Sequence, residues 1–143
     1  MPFDGRERAA WSGFLVTYAS VERAVDEDLR LRDGITHTEF EVLLRLRFAE
    51  DGRMRIRALA ADSILTRSGT SRLVARLERA GLVRREDVPG DGRGSFAVLM
   101  PEGAARFDAA AGRHIEFVRS RFHARLTDDD LEALTAIWHK LHD

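Results

Sequence analysis

Apolar residues recur at Trp11, Phe14, Tyr18, Val21, Val25 and Leu29, close to the ~3.6-residue period of a helix, so an amphipathic helix is predicted over about Arg6–Leu31. Asp33-Gly34 stops it. Thr36-His37-Thr38-Glu39 then has the spacing of a capping box, in which Thr36 and Glu39 each satisfy an orphan amide of a second helix. That helix offers Phe40, Leu43, Leu44 and Leu46 for burial, runs to about Phe48, and is closed by Asp51-Gly52. A short helix is predicted over roughly Ile56–Asp62, followed by a turn at Ser63-Ile64-Leu65. Thr66 is placed to cap the next helix, about Arg67–Ala80, and Gly81 stands where a left-handed C-terminal cap belongs.

Beyond Leu82 the period changes. Val83–Val88 and Ser95–Met100 read as strands, and the segment Pro89-Gly90-Asp91-Gly92-Arg93-Gly94 between them reads as a Gly-rich turn. Pro101 suits the first turn of a long helix reaching about Arg125, with Phe107, Ala111, Ile115, Val118 and Phe122 on one stripe. Thr127 and three aspartates begin a last helix that carries Leu131, Leu134, Trp138 and Leu141. The fold class is therefore mainly α with a small β-hairpin: four helices, the hairpin, two more helices. Its middle is a helix-turn-helix followed by a wing. We expect a winged helix-turn-helix lobe at 36–100, with 1–35 and 101–143 forming a terminal-helix dimerisation region in a single 143-residue domain.

Charge gives the middle a chemistry. The chain as a whole has a net charge of −1, but Arg53–Ser95 holds ten Arg against five Asp/Glu, so that stretch is +5 and the rest −6. A basic module on acidic flanks suits a nucleic-acid reader carried on a separate scaffold. Of the 23 basic residues only Lys140 is lysine, and arginine favours bidentate contacts to phosphate and guanine.

On the Arg67–Ala80 helix, Thr70, Leu73, Val74, Leu77 and Ala80 fall on one half of the helical wheel. Ser68, Ser71, Arg72, Ala75, Arg76 and Arg79 fall on the other. Small hydroxyls, an alanine and arginines suit a helix that must enter the major groove closely. A merely solvated face would be expected to mix in Glu and Lys. The Gly-rich turn adds one arginine, Arg93, able to project into a narrow minor groove where the negative potential is strongest. Asp91 can pair with Arg93 or with a recognition-helix arginine and so orient the tip.

These residues carry a resemblance. Leu77-Glu78-Arg79-Ala80-Gly81-Leu82-Val83-Arg84-Arg85, then Asp91-Gly92-Arg93-Gly94, then Val98-Leu99-Met100-Pro101-Glu102-Gly103 resemble the MarR family signature, an L-E-x-x-G-L-V-x-R run and a D-x-R wing ending in L-T-x-x-G. Ser68-Gly69 and Arg72-Leu73-Val74 are similar to the start of that family's recognition helix. The resemblance implies a sequence-specific transcriptional regulator, most often a repressor, acting as a two-fold dimer on neighbouring major grooves and relieved by a small molecule. It implies Arg93 as the minor-groove arginine with Asp91 as its orienting partner. Ser68, Ser71 and Arg72 would face bases or phosphate, Arg67 and Arg76 would grip the backbone, and Thr66 at the start of the helix belongs to the same DNA-binding set. Two positions depart from the family: Met100 replaces a threonine before the fifth helix, and Thr70 stands on the inward face where Val or Leu is preferred.

The partners expected are double-stranded DNA, a second copy of the chain and a small-molecule effector. Trp11, Phe14 and Tyr18 on the first helix and Leu131, Leu134 and Trp138 on the last make apolar stripes too wide for one chain of this size to cover, which argues for an isologous homodimer on a pseudo-palindromic operator. By the resemblance an effector would sit between the dimer helices and the winged lobe, where Trp11, Tyr18, His37, Phe40, His114 and Phe117 are candidate lining residues, with Phe107 nearby; ordinary core packing is the competing account of most of them.

No cofactor and no metal is expected. The absence of cysteine removes thiol chemistry and thiol-based sensing, and no phosphate loop, nucleophile elbow or zinc motif marks an enzyme. No stretch approaches the roughly eighteen apolar residues of a membrane span, and no secretion signal is visible, so a cytoplasmic location is expected. The alternative is a winged helix used for protein–protein contact, with DNA binding weak or lost.

Overall fold

The structure, a computed structural model, describes residues 2–61 and 67–142, and at Arg67 and Ser68 the backbone alone. In chain order the elements are α1 (Gly5–Asp33), α2 (His37–Arg47), a 3-10 turn (Glu50–Gly52), β1 (Arg53–Arg55), α3 (Ile56–Ala61), α4 (Arg67–Arg79), β2 (Val83–Val88), β3 (Asp91–Leu99), α5 (Pro101–Arg121), a second 3-10 turn (His123–Arg125) and α6 (Asp128–His142). The expected winged helix-turn-helix architecture is present. The turn at Ser63-Ile64-Leu65 and the cap Thr66 lie outside the described residues.

Two compact units emerge, residues 28–111 and residues 1–27 with 112–143. In the first, the caps behave as the local sequence dictates. The Thr36 hydroxyl accepts from the Glu39 amide at 3.1 Å, and Glu39 Oε2 accepts from the Thr36 amide at 2.9 Å. At the end of α4, Gly81 takes φ +75°, the Leu82 amide donates to the Leu77 carbonyl at 2.9 Å and the Gly81 amide to the Glu78 carbonyl at 3.0 Å. This is a Schellman closure, which spares α4 two orphan carbonyls. The Glu78 carboxylate then accepts from the Arg85 amide at 2.9 Å and carries the chain into β2.

The core of this unit draws Phe40, Leu43 and Leu46 from α2, Ile56 and Leu59 from α3, Leu73, Val74 and Leu77 from α4, and Val83 and Ala97 from the sheet. Phe107 of α5 completes it, its ring centroid 5.2 Å from that of Phe40. Gly103 is the tightest point: a β-carbon there would collide with the Leu82 carbonyl oxygen, so only glycine lets α5 approach the α4–β2 connection. Arg45 fastens α3 to α2 by donating to the Leu59 and Ala58 carbonyls at 2.7 and 3.1 Å. Thr70 is buried, as its inward position predicts, and its hydroxyl has no hydrogen-bond partner among the described residues.

The sheet differs from expectation in three ways. It has three strands, in the order β1-β3-β2, because Arg53–Arg55 pairs antiparallel with Val98–Phe96. The turn is only Pro89-Gly90: Val88 pairs with Asp91 directly, and Gly90 at φ +78° supplies the left-handed residue a type II turn requires after proline. The register then shifts, with Asp87 opposite Ser95, so residues 92–94 have no partner on β2. Arg93 therefore rides on a bulge of β3, not on a loose Gly-rich tip. A last difference is at α5, which stops at Arg121 before the 3-10 turn instead of reaching Arg125.

In the other unit, Trp11, Phe14 and Tyr18 form a ladder with ring centroids 6.1 and 6.4 Å apart, and Phe14 lies 6.0 Å from Trp138. Thr127 and Asp130 cap α6: the Thr127 amide and hydroxyl donate to Asp130 Oδ2 at 2.9 and 2.8 Å, and the Asp130 amide donates to the Thr127 hydroxyl at 3.2 Å. Among the described residues no helix is long and apolar enough to cross a membrane, and no three His, Asp or Glu side chains come together as a metal site.

Candidate nucleic-acid interface

Of the nine arginines in the 53–95 stretch whose side chains are described, five are paired with acids of the same unit. Arg53 and Arg84 share Glu86 at 3.0 and 2.8 Å, Arg55 meets Asp91 at 3.5 Å, Arg76 meets Glu39 at 3.5 Å, and Arg85 meets Glu78 at 3.9 Å. Among the described residues Arg57, Arg72, Arg79 and Arg93 have no such partner, and all four are exposed. Arg72 comes from the polar half of α4 and Arg93 from the wing bulge. An unpaired, exposed guanidinium keeps its full charge for an external anion, whereas a paired one must first give up its carboxylate.

Between helix and wing lies a cleft of about 330 Å³ whose polar walls are Arg55, Arg57, Ser71, Arg85, Asp91 and Arg93. Four arginines against one aspartate make it electropositive. Arg85 closes one side by donating from Nη2 to the Ser71 carbonyl at 2.8 Å and to its hydroxyl at 3.2 Å. This ties the recognition helix to β2. Asp91 closes the other side, where Oδ1 accepts from the Arg93 and Gly94 amides at 3.2 and 3.1 Å and Oδ2 faces Arg55. The Asp91 carboxylate fills the space a β-carbon on Gly94 would need, which explains the glycine after Arg93.

The expected site residues are thus distributed as follows. Ser71, Asp91 and Arg93 line the same cleft, and Arg72 is exposed at the next position of α4. Ser71 is half-buried with its hydroxyl on Arg85. Arg76 is half-exposed and held by Glu39 of the α2 capping box. Asp91 accepts from the Arg93 and Gly94 amides, and its cation is Arg55 rather than the expected Arg93 or an arginine of α4, because β1 runs beside β3 and brings Arg55 to it. Thr66 and the side chains of Arg67 and Ser68 lie outside the described residues.

Arg55, Arg57 and Arg85 were not anticipated. A signal for the first two existed: Arg53-Met54-Arg55-Ile56-Arg57 alternates charged and apolar residues with the period of a strand.

The candidate effector residues do not fall together in one compact unit. Trp11, Tyr18, His114 and Phe117 belong to the unit of residues 1–27 and 112–143, whereas His37 and Phe40 belong to the unit of residues 28–111. Phe40 is a core residue, stacked on Phe107. His37 lies 3.4 Å from Glu41, one turn along α2. Trp11 and Tyr18 are half-exposed aromatic surface.

Comparison with known proteins identifies what the chain is similar to. A sequence model described as MarR family matches residues 33–94. The chain is similar to the solved structure of Sco3205, a MarR family transcriptional regulator from Streptomyces coelicolor in complex with DNA. The two share 32% identity over 99% of this chain and 89% of that one, with a TM-score of 0.93. It has the same fold as the organohalide-sensing transcriptional regulator RdhR-CbdbA1625 in its 2,4-dichlorophenol-bound form. There the identity is 19%, over 99% of this chain and 84% of that one, with a TM-score of 0.83. Among curated proteins it is similar to an uncharacterised HTH-type transcriptional regulator of Bacillus cereus, 24% identical over 128 residues, 90% of this chain and 84% of the relative.

Proposed function

The chain belongs to the MarR family of DNA-binding transcriptional regulators, and from that premise we propose that it is a cytoplasmic, homodimeric repressor of a pseudo-palindromic operator, released by a small-molecule effector. The carrying observation is the freedom of Arg72 and Arg93. In a lobe where Arg53, Arg55, Arg76, Arg84 and Arg85 are paired with acids, these two, like Arg57 and Arg79, have no ion-pair partner among the described residues, and they stand one on α4 and one on the wing bulge.

In this reading α4 enters the major groove. Arg72 reaches guanine O6/N7 or phosphate, and the side chains of Ser68 and Ser71 lie close to the base edges. Thr66, Arg67 and Arg76 grip the backbone; Arg76 exchanges Glu39 for a phosphate when it does so. Arg93 enters the adjacent minor groove with Asp91 orienting its bulge. Arg57 and Arg85, lining the cleft between helix and wing, add positive potential for the intervening phosphates.

The dimer is supported by the aromatic ladder Trp11-Phe14-Tyr18 with Trp138, all of it exposed in a single chain. In this reading the terminal helices, residues 1–35 and 101–143, serve as the dimerisation region, and the exposed aromatic residues lie within it. Effector release is supported by the dichlorophenol-bound regulator of the same fold. Trp11, Tyr18, His37, Phe40, His114 and Phe117 remain the candidate lining residues, with an aromatic, weakly polar ligand the class they suit.

Fluorescence anisotropy against the intergenic DNA upstream of its gene, at two salt concentrations and with unlabelled random DNA as competitor, tests the reading. Binding that survives competition and falls steeply with salt is expected. Arg93→Ala is expected to weaken it by roughly 1–3 kcal/mol, about 5- to 150-fold, with an unchanged melting temperature. No binding of any DNA even at low salt would instead favour a protein-binding winged helix.

A further inference from the structure

We infer that Arg55 is a positioning residue for DNA recognition: from β1 it holds the Asp91 carboxylate so that the bulge carrying Arg93 is fixed and the Arg93 guanidinium stays free. The inference rests on the reading of Arg93 as the minor-groove arginine.

Asp91 has two oxygens and three donors to satisfy. Oδ1 takes the Arg93 and Gly94 amides, which shapes the bulge, and Oδ2 lies 3.5 Å from Arg55 Nη1. Residues 92–94 have no partner on β2, so these contacts stand in for the missing ladder bonds. Arg55 is itself anchored outside the β2–β3 hairpin. It pairs with Phe96 across the β1–β3 ladder, and its guanidinium carbon lies 5.9 Å from the Phe96 ring centroid. The bulge is thereby referenced to a third strand that leads directly into α3 of the helix-turn-helix.

Removing Arg55 has a second consequence. The Asp91 carboxylate would be left facing the other arginines of the cleft, Arg57, Arg85 and Arg93. Pairing with Arg93, two residues along, would neutralise the charge meant for DNA. The Arg55–Asp91 pair is partly exposed, 36% and 41% for the two side chains, so it contributes little to global stability. Its value is positional.

The test is a double-mutant cycle on the full chain, read by anisotropy with a labelled duplex of the upstream intergenic DNA, or with a random-sequence duplex at low salt. Arg55→Ala is expected to weaken binding about fivefold in the native background and less than about twofold in an Arg93→Ala background, because coupled residues are not additive. Arg55→Lys, which keeps the charge, is expected to restore most of the affinity. In the free protein, Arg55→Ala is expected to speed amide exchange at Arg93 and Gly94 while leaving the melting temperature unchanged. Equal losses in both backgrounds would overturn the inference and make Arg55 an independent phosphate contact, with Arg93 unaffected as the wing arginine. An Arg93→Ala variant that binds as tightly as the native chain would overturn the wing reading itself, and this inference with it.

Discussion

The two compact units treat their apolar residues in opposite ways. Residues 28–111 bury most of theirs, Leu31 and Phe48 excepted: among the described residues every buried hydrophobic residue except Val25 comes from this unit, including Leu43, Leu46 and Val74 with essentially no exposure. Residues 1–27 with 112–143 display theirs: Trp11, Phe14, Leu15, Val16, Tyr18, Ile137 and Trp138 are all between 37% and 67% exposed. The first unit has closed a core within one chain. The second has the composition of a core and the exposure of a surface, which is how half of an obligate interface looks before its partner is added. On the proposed reading, binding DNA with the closed unit and assembling with the open one separates two tasks that a single small core could not serve.

The largest effects should come from breaking the closed unit and the open unit in parallel. Leu43→Ala is expected to cost about 2–5 kcal/mol of unfolding free energy at any protein concentration. Trp138→Ala is expected to leave a folded chain whose sedimentation shifts toward monomer and whose melting temperature becomes more dependent on concentration. Equal, concentration-independent losses for both variants would mean that Trp138 is packed within its own chain.

A smaller effect separates two glycines of the same helix. Gly103→Ala, which drives a methyl group into the Leu82 carbonyl, is expected to destabilise by about 1–3 kcal/mol or more. Gly112→Ala meets nothing within 4 Å. It should raise the melting temperature, since alanine is favoured over glycine in a helix by roughly 0.8–1.0 kcal/mol. Urea denaturation of the pair reads both signs in one experiment.

The smallest effect is a titration in the open unit. The Thr127 amide and hydroxyl donate to Asp130 and hold its carboxyl below the ordinary aspartate value. Because the folded value is depressed, this contribution is complete above the unfolded value and is lost as pH falls through the folded one. The start of α6 should therefore fray only in acid, and Asp130→Asn should abolish that acid dependence, as helical circular dichroism between pH 5 and about pH 2 would show.

Much of the fold was legible locally. Caps are short-range devices, so Thr36-Glu39, Gly81 and Thr127-Asp130 could be read from spacing and are present in the structure. The polar half of α4 was equally legible, because a helix maps residue number onto direction. Strand β1 was not, since three residues carry too little period to outweigh neighbouring helices, and its pairing with β3 spans more than forty residues. The same limit hid Arg55 and Arg85: each matters through a partner distant in sequence, Asp91 and Ser71.

By itself, then, the amino-acid order determined the six helices and the hairpin, the caps that bound them and the polar half of α4, all of which depend on interactions within a few residues. The tertiary structure alone decided which arginines are spent on carboxylates and which are left free. It also set the register that turns Gly92-Arg93-Gly94 into an anchored bulge. Charge pairing and strand register are settled by chain segments meeting in space, where a 3.5 Å approach between residues 36 positions apart outweighs anything their sequence neighbours dictate.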